Sequence, residues 1–257
     1  MNGLLYKNLY QNRLFIILSA LAPSVILFLM IFVTYFGEES TFSIQAVFQK
    51  VADSGIMLRL FSILIGYMIA EPCLFMVISH DEVKKWAYFS VTTPTGIKGQ
   101  LYVKYVIIFM MCGLTLICTY IIDTVICCIT TAITGEEMTS VVTILIILFY
   151  GQIFLKAIDL PFAVRFGTNK GSNVKALMLL GILLIFIIYI LFGPLPADIE
   201  SFLESIYKFI ENLNSGNIPD WIFIVQGLFS FISIGGYIIS YLISCRLYLK
   251  GVESYDK

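Results

Sequence analysis

Histidine is almost absent from this sequence, with one in 257 residues, at position 80. That excludes a site built on two or three imidazoles, including the H-E-x-x-H zinc arrangement. Neither G-x-S-x-G nor G-x-x-x-x-G-K-[ST] occurs, so the chain has no nucleophile elbow and no phosphate-cradling P-loop. Charge is scarce too: 13% of residues are charged, against about a quarter in soluble domains. The six cysteines (Cys73, Cys112, Cys118, Cys127, Cys128, Cys245) fall inside or at the ends of apolar runs. Their spacing fits neither a disulfide framework nor a zinc site, and they read as small apolar packing residues. No metal, no cofactor and no nucleic-acid partner is expected of this chain.

What is abundant is hydrocarbon. The chain is 59% hydrophobic with mean hydropathy +0.93, a composition for a bilayer. Runs near the twenty or so residues that cross a hydrocarbon core as helix number six: 14–36, 55–79, 105–130, 141–164, 174–192 and 221–247. The third can extend to Thr134. The expected fold is therefore an all-α membrane protein with six transmembrane helices, multi-pass in the cell membrane. With no repeat, linker or low-complexity tract, residues 1–257 read as a single domain.

Lys and Arg in the short connections set the orientation, because cytoplasmic loops retain them. Twelve fall on one side (Lys7, Arg13, Lys84, Lys85, Lys98, Lys104, Arg165, Lys170, Lys175, Arg246, Lys250, Lys257) and two on the other (Lys50, Lys208). Both termini should thus be cytoplasmic. Ten acids lie on the outer side, giving it a formal charge of −8. Ala20-Leu21-Ala22 has the look of a signal cleavage site, but Pro23 follows at once. The apolar run also continues to Phe36, past an h-region of about 7–15 residues, so the segment reads as a retained span.

Residues 1–13, MNGLLYKNLYQNR, set leucines and tyrosines against Lys7, Asn8, Asn12 and Arg13, as an interfacial helix requires. Residues 198–213 place apolar side chains at three- and four-residue steps, predicting an outer amphipathic helix between spans five and six. Residues 40–51 are a weaker version. Gly236, Ser240 and Ser244 form a small-residue stripe on span six, suited to close helix approach.

Five ionisable residues sit inside predicted spans: Arg59, Glu71, Asp123, Lys156 and Asp159. Each costs about 2.5–3.5 kcal/mol at a helix centre, so each must pair, snorkel or line a wet cavity. Matched depth predicts Arg59 with Asp123 and Glu71 with Lys156, while Asp159, an i,i+3 neighbour, competes for Lys156. Two readings stand: pairs that fix helix register, which is preferred, or a polar patch on a transport path. Ile158-Asp159-Leu160 lacks the Gly-rich surroundings of intramembrane aspartyl proteases, and no catalytic residue is assigned.

Residues 80–104, HDEVKKWAYFSVTTPTGIKGQLYVK, are the longest basic stretch. Trp86, Tyr88 and Phe89 offer rigid anchors of the sort found at interface hot spots, Lys84, Lys85 and Lys98 add steering charge, and Thr93-Pro94 set a turn. Adhesion to anionic headgroups explains the same residues.

Four stretches together resemble an ABC-2 type ABC transporter permease: MNGLLYKNLYQNR, WAYFSVTTPTGIKGQLYVKY, LPFAVRFGTNKG and YLKGVESYDK. The sequence departs from the pattern at Asn8, where an acid is common, and at Thr92-Thr93-Pro94, where Leu-Pro is usual. The resemblance implies six helices per subunit, a second permease copy or paralogue, and separate ABC ATP-binding subunits that carry the ATP and Mg. It makes the segment holding Lys84, Lys85, Trp86, Tyr88, Phe89, Thr93, Pro94 and Lys98 the ATPase-coupling element, which favours that reading over headgroup adhesion. The compact form is similar to phenol-soluble modulin exporter permeases and lantibiotic-immunity permeases, implying export of amphipathic or hydrophobic peptides. Two alternatives compete with it: an ion-coupled secondary transporter using Glu71, Asp123 and Asp159, and a non-transporting membrane scaffold or sensor.

Overall fold

The computed structural model describes residues 2–36, 55–79, 96–135, 141–167, 173, 177, 180, 181 and 220–254. Among these every element is helical: α1 (Asn2–Gln11), α2 (Arg13–Phe36), α3 (Gly55–Ser79), α4 (Gly96–Thr134), α5 (Val142–Phe166) and α6 (Asp220–Ser254). Four helices are long and apolar enough to cross a membrane, over Leu58–Val77, Lys98–Thr134, Val142–Phe166 and Phe223–Tyr248. The bent pair Gly3–Gln11 and Arg13–Leu29 passes the same test as one broken unit, making up to five. Most of the expected span at 174–192, the outer helix at 198–213 and the weaker one at 40–51 lie outside the described residues.

The third span differs from its apolar run of 105–130. α4 begins at Gly96, nine residues earlier, so the last nine residues of the 80–104 segment read as loop are already helix. Lys98, Gln100 and Lys104 interrupt the apolar count without interrupting the backbone. At about 1.5 Å per residue, α4 is roughly 58 Å long, well beyond a hydrocarbon core of about 30 Å. Its far end closes at Gly135 (φ 76°), whose N–H donates to the Thr131 carbonyl at 2.9 Å. Gly167 (φ 78°) ends α5 in the same way, bonding the Ala163 carbonyl. A side chain would be strained at either position, and a helix that stops there needs the left-handed turn.

α4 is the centre of the bundle and touches each of the other five helices. The α2–α3 and α5–α6 pairs pack most extensively. Tyr237 and Tyr241 of α6 reach Tyr105 and Lys98 of α4, so these two helices run antiparallel. Phe154 meets Phe229, and farther along both chains Ala157 meets Gly236, so α5 and α6 run parallel. The C-terminus of α5 and the N-terminus of α6 are thus at opposite ends of the bundle.

These directions gather Arg13, Lys98, Lys104, Arg165 and Arg246 at one end, called here the basic end. Leu74, Val77, Val103, Ile107, Ile108 and Met111 form the core near that end, with Leu4, Leu5 and Leu9 of α1 packed against it. α1 turns 61° away from α2, with Asn12 at the bend. The amides of Asn8 and Asn12 each bond the carbonyl four residues back, at 2.9 Å. Tyr6 and Tyr10 point outward. A second core at the far end joins Leu27, Ile63, Ile126, Val141 and Leu145. Because lipid tails are as apolar as leucine, association of such helices rests on close packing and on polar contacts.

Candidate functional site

The polar contacts lie at two levels. At the far level, α3 carries Arg59 near its start and α4 carries Asp123 near its end, so antiparallel packing brings them together. Arg59 Nη2 and Nε both donate to Asp123 Oδ1, at 2.6 and 2.9 Å. The two side chains are 1% and 2% exposed. The Val141 backbone N–H, at the head of α5, faces the same carboxylate, adding the positive end of a helix dipole. Three helices thus converge on one carboxylate.

At the level nearer the basic end, α3 and α5 run side by side and Lys156 reaches across. Its Nζ is 2.5 Å from Glu71 Oε1 and 3.5 Å from Asp159 Oδ2, one turn along its own helix. It also sits 5.7 Å above the Phe75 ring and 3.5 Å from the Glu71 carbonyl. Lys156 is 1% exposed while Glu71 keeps 24%. The close Lys156–Glu71 contact lacks hydrogen-bond alignment: neither Glu71 oxygen has a hydrogen-bond partner among the described residues. This bridge is looser than the Arg59–Asp123 one and has a second acid within reach.

Between the two levels runs a band of buried neutral polar groups. Thr115 and Thr119 share a buried stripe of α4 with Asp123, and Thr130 continues it about two turns beyond the far pair. Each threonine hydroxyl donates to the carbonyl four residues back at 2.7–2.9 Å, and Thr115 also contacts the Ser19 carbonyl of α2 at 3.2 Å. Ser24, Tyr67 and Gln152, one from each of α2, α3 and α5, are buried as well. The Ser24 hydroxyl and both amide atoms of Gln152 are buried with no hydrogen-bond partner among the described residues, and the buried Tyr67 hydroxyl is near Thr119. Tyr67 and Gln152 each stand one turn from the Glu71–Lys156 bridge. Counting only ionisable residues passes over both. A lone amide in the apolar run of α5 was the available signal for Gln152.

The site offers ion pairing and hydrogen bonding. Among the described residues no three His, Cys, Asp or Glu side chains come together as a metal site. Lys98, the last residue of the expected coupling segment, is exposed on the first turn of α4. Lys84, Lys85, Trp86, Tyr88, Phe89, Thr93 and Pro94 lie outside the described residues.

No curated protein and no solved structure matches the chain. A bundle of long apolar helices with buried ion pairs, and with no nucleotide-binding loop in its sequence, fits the membrane part of a transporter. A family described as ABC-2 family transporter protein matches residues 3–249, nearly the whole chain, and the protein therefore belongs to that family.

Proposed function

We propose that the chain is the membrane-spanning subunit of an ATP-driven exporter whose ATP hydrolysis takes place on a separate ABC subunit. The observation that carries this reading is the family match across residues 3–249 in a sequence without G-x-x-x-x-G-K-[ST]. For a member of an ABC transporter family without a phosphate loop in this sequence, ATP and Mg belong on a partner subunit.

The architecture supports a route for coupling. α4 starts two residues after Pro94 and touches every other described helix. A displacement of Lys84, Lys85, Trp86, Tyr88, Phe89, Thr93, Pro94 and Lys98 by an ATPase groove would pass directly into the helix on which all the others lean. In this reading the chain makes six crossings of the cell membrane with both termini cytoplasmic. The fifth, at 174–192, is the return that parallel α5 and α6 require; α1 lies along the inner headgroups and 198–213 along the outer ones. A second copy or paralogue completes the pathway. The cargo is an amphipathic or hydrophobic peptide, as the likeness to phenol-soluble modulin exporter permeases implies.

Extraction from the native host in mild detergent, with quantitative mass spectrometry of whatever co-purifies, tests the motor. A P-loop ATPase in equimolar amount is expected, reduced by Trp86→Ala or Pro94→Ala while membrane insertion of the permease is unchanged. Recovery of the intact chain alone would remove the ATP-driven reading. Transport that survives ATP depletion but collapses with the proton gradient would then assign Glu71, Asp123 and Asp159 to ion coupling.

A further inference from the structure

A groove of about 360 Å³ lies open on the side of the bundle between α4 and α6. Tyr102, Tyr105, Tyr237 and Tyr241 wall it, and buried Ile153 of α5 forms its floor. Four tyrosines would ordinarily make a polar cleft. Here three of the four hydroxyls are bonded into the protein. Tyr105 Oη lies 2.8 Å from both Ser240 Oγ and Ser244 Oγ. Tyr237 donates to the Tyr105 carbonyl at 2.7 Å, and Tyr241 to the Lys98 carbonyl at 3.2 Å.

The ring faces and edges are what remain to line the groove. They brace one another, with centroids 5.0 Å apart for Tyr105–Tyr237, 5.5 Å for Tyr105–Tyr241 and 6.2 Å for Tyr102–Tyr241. Such a lining offers an occupant dispersion contacts rather than hydrogen bonds. Ile238, 58% exposed, forms part of the open lip. The exposed lip is apolar, so in a bilayer an occupant enters it from the lipid.

One end of the groove is charged. Lys98, Tyr102, Tyr105 and Phe109 follow one another at four-, three- and four-residue steps, one stripe of α4. Exposed Lys98 therefore stands one turn beyond the aromatic walls, and exposed Arg246 is near the same end of α6. The basic side chains at this end of α2, α4, α5 and α6 place the mouth at the cytoplasmic headgroup level.

We propose that the groove binds one acyl chain of an anionic phospholipid from the cytoplasmic leaflet, with the lipid phosphate on Lys98. An apolar slot with a cation at its mouth matches an amphiphile of that polarity. The lipid then acts as a wedge along the α4–α6 seam. The proposal requires only that the chain spans a bilayer with its basic end cytoplasmic, and it stands whether or not an ATPase partner is found.

Native mass spectrometry of the full chain, with dioleoyl phosphatidylglycerol or dioleoyl phosphatidylcholine titrated in, tests it. One phosphatidylglycerol adduct should persist under activation that strips phosphatidylcholine. Val106→Trp fills the slot and should lose the retained adduct. Val125→Trp, on an exposed face of α4 outside the groove, should keep it. Lys98→Gln should keep an adduct but lower the preference for phosphatidylglycerol about fivefold, the effect of one lysine beside anionic lipid. If Val106→Trp does not fold, Ile238→Trp at the lip fills the groove from the exposed side. Equal retention of both lipids, or retention by the filled variants as by wild type, would reduce the binding to ordinary annular lipid and overturn the proposal. So would protection of Ile238→Cys from maleimide by an amphipathic peptide but not by phosphatidylglycerol, which would give the groove to cargo.

Discussion

Arg59 aims two N–H groups at a single oxygen of Asp123, and both side chains are out of reach of solvent. Removing one partner breaks a buried, hydrogen-bonded charge pair, so Arg59→Ala or Asp123→Ala should each cost about 3–5 kcal/mol. The loss should appear as low abundance and a lowered melting midpoint in detergent. The double variant Arg59→Met with Asp123→Leu removes both charges of the pair and should recover most of that loss. A double variant no better than the singles would mean that the pair does not hold α3 to α4. Lys156 behaves differently because two acids serve it. Glu71→Gln leaves the ammonium to Asp159, whereas Lys156→Met takes the cation away from both carboxylates. Lys156→Met is expected to approach the same 3–5 kcal/mol and Glu71→Gln to cost clearly less. Equal losses would show that Asp159 does not share the lysine. The Lys156 bridge, with two acids in reach, can change partners as α3 and α5 move apart.

Where α2 crosses α3, Gly66 lies against Pro23 so closely that a Cβ at position 66 would overlap the Pro23 backbone. Backbone cannot swing aside as a side-chain tip can, so Gly66→Ala must push the helices apart, at about 1–3 kcal/mol of overpacking. Gly236 makes the opposite case. A Cβ there would meet only the Ala157 methyl, at 4.0 Å, an ordinary contact, and Gly236→Ala should be near neutral. Thermal unfolding of the two variants checks the pair, and a neutral Gly66→Ala would mean that α2 and α3 do not cross this closely. Sequence reveals glycines and prolines but not which of them meet, since a crossing belongs to two helices at once. Element bounds are more legible. The apolar run at 55–79 coincides with α3, and the run at 14–36 differs from α2 by one residue. α4 exceeds its run at both ends, because Lys98 and Lys104 lower hydropathy without breaking helix, and Thr134 folds its hydroxyl onto the Thr130 carbonyl. Charged side chains can be placed by depth from their span ends. Tyr67 and Gln152, being neutral, carry no such signal and emerge only from burial.

At the scale of the molecule, helix direction turns a scattered set of cations into a polarity. α2 and α4 start, and α5 and α6 finish, at the same basic end. If that end is cytoplasmic, as retention of Lys and Arg requires, then α4 passes through the whole bilayer with its last turns outside. Gln100 and Ala132 would be separated by about 48 Å along the helix, more than the hydrocarbon core by itself. Cysteines placed singly at these positions and at Arg165, in a chain whose six native cysteines are replaced, report the sides. In intact cells a membrane-impermeant maleimide should label Ala132→Cys alone, with Gln100→Cys and Arg165→Cys labelled only after permeabilisation. Labelling of Gln100→Cys and Ala132→Cys from one side would mean that α4 does not cross. A helix that turned back would no longer connect residues 80–98 to the far ion pair, and a push applied at Pro94 would have no rigid path to Asp123. The labelling pattern therefore tests topology and the coupling route together, since one continuous helix underlies both.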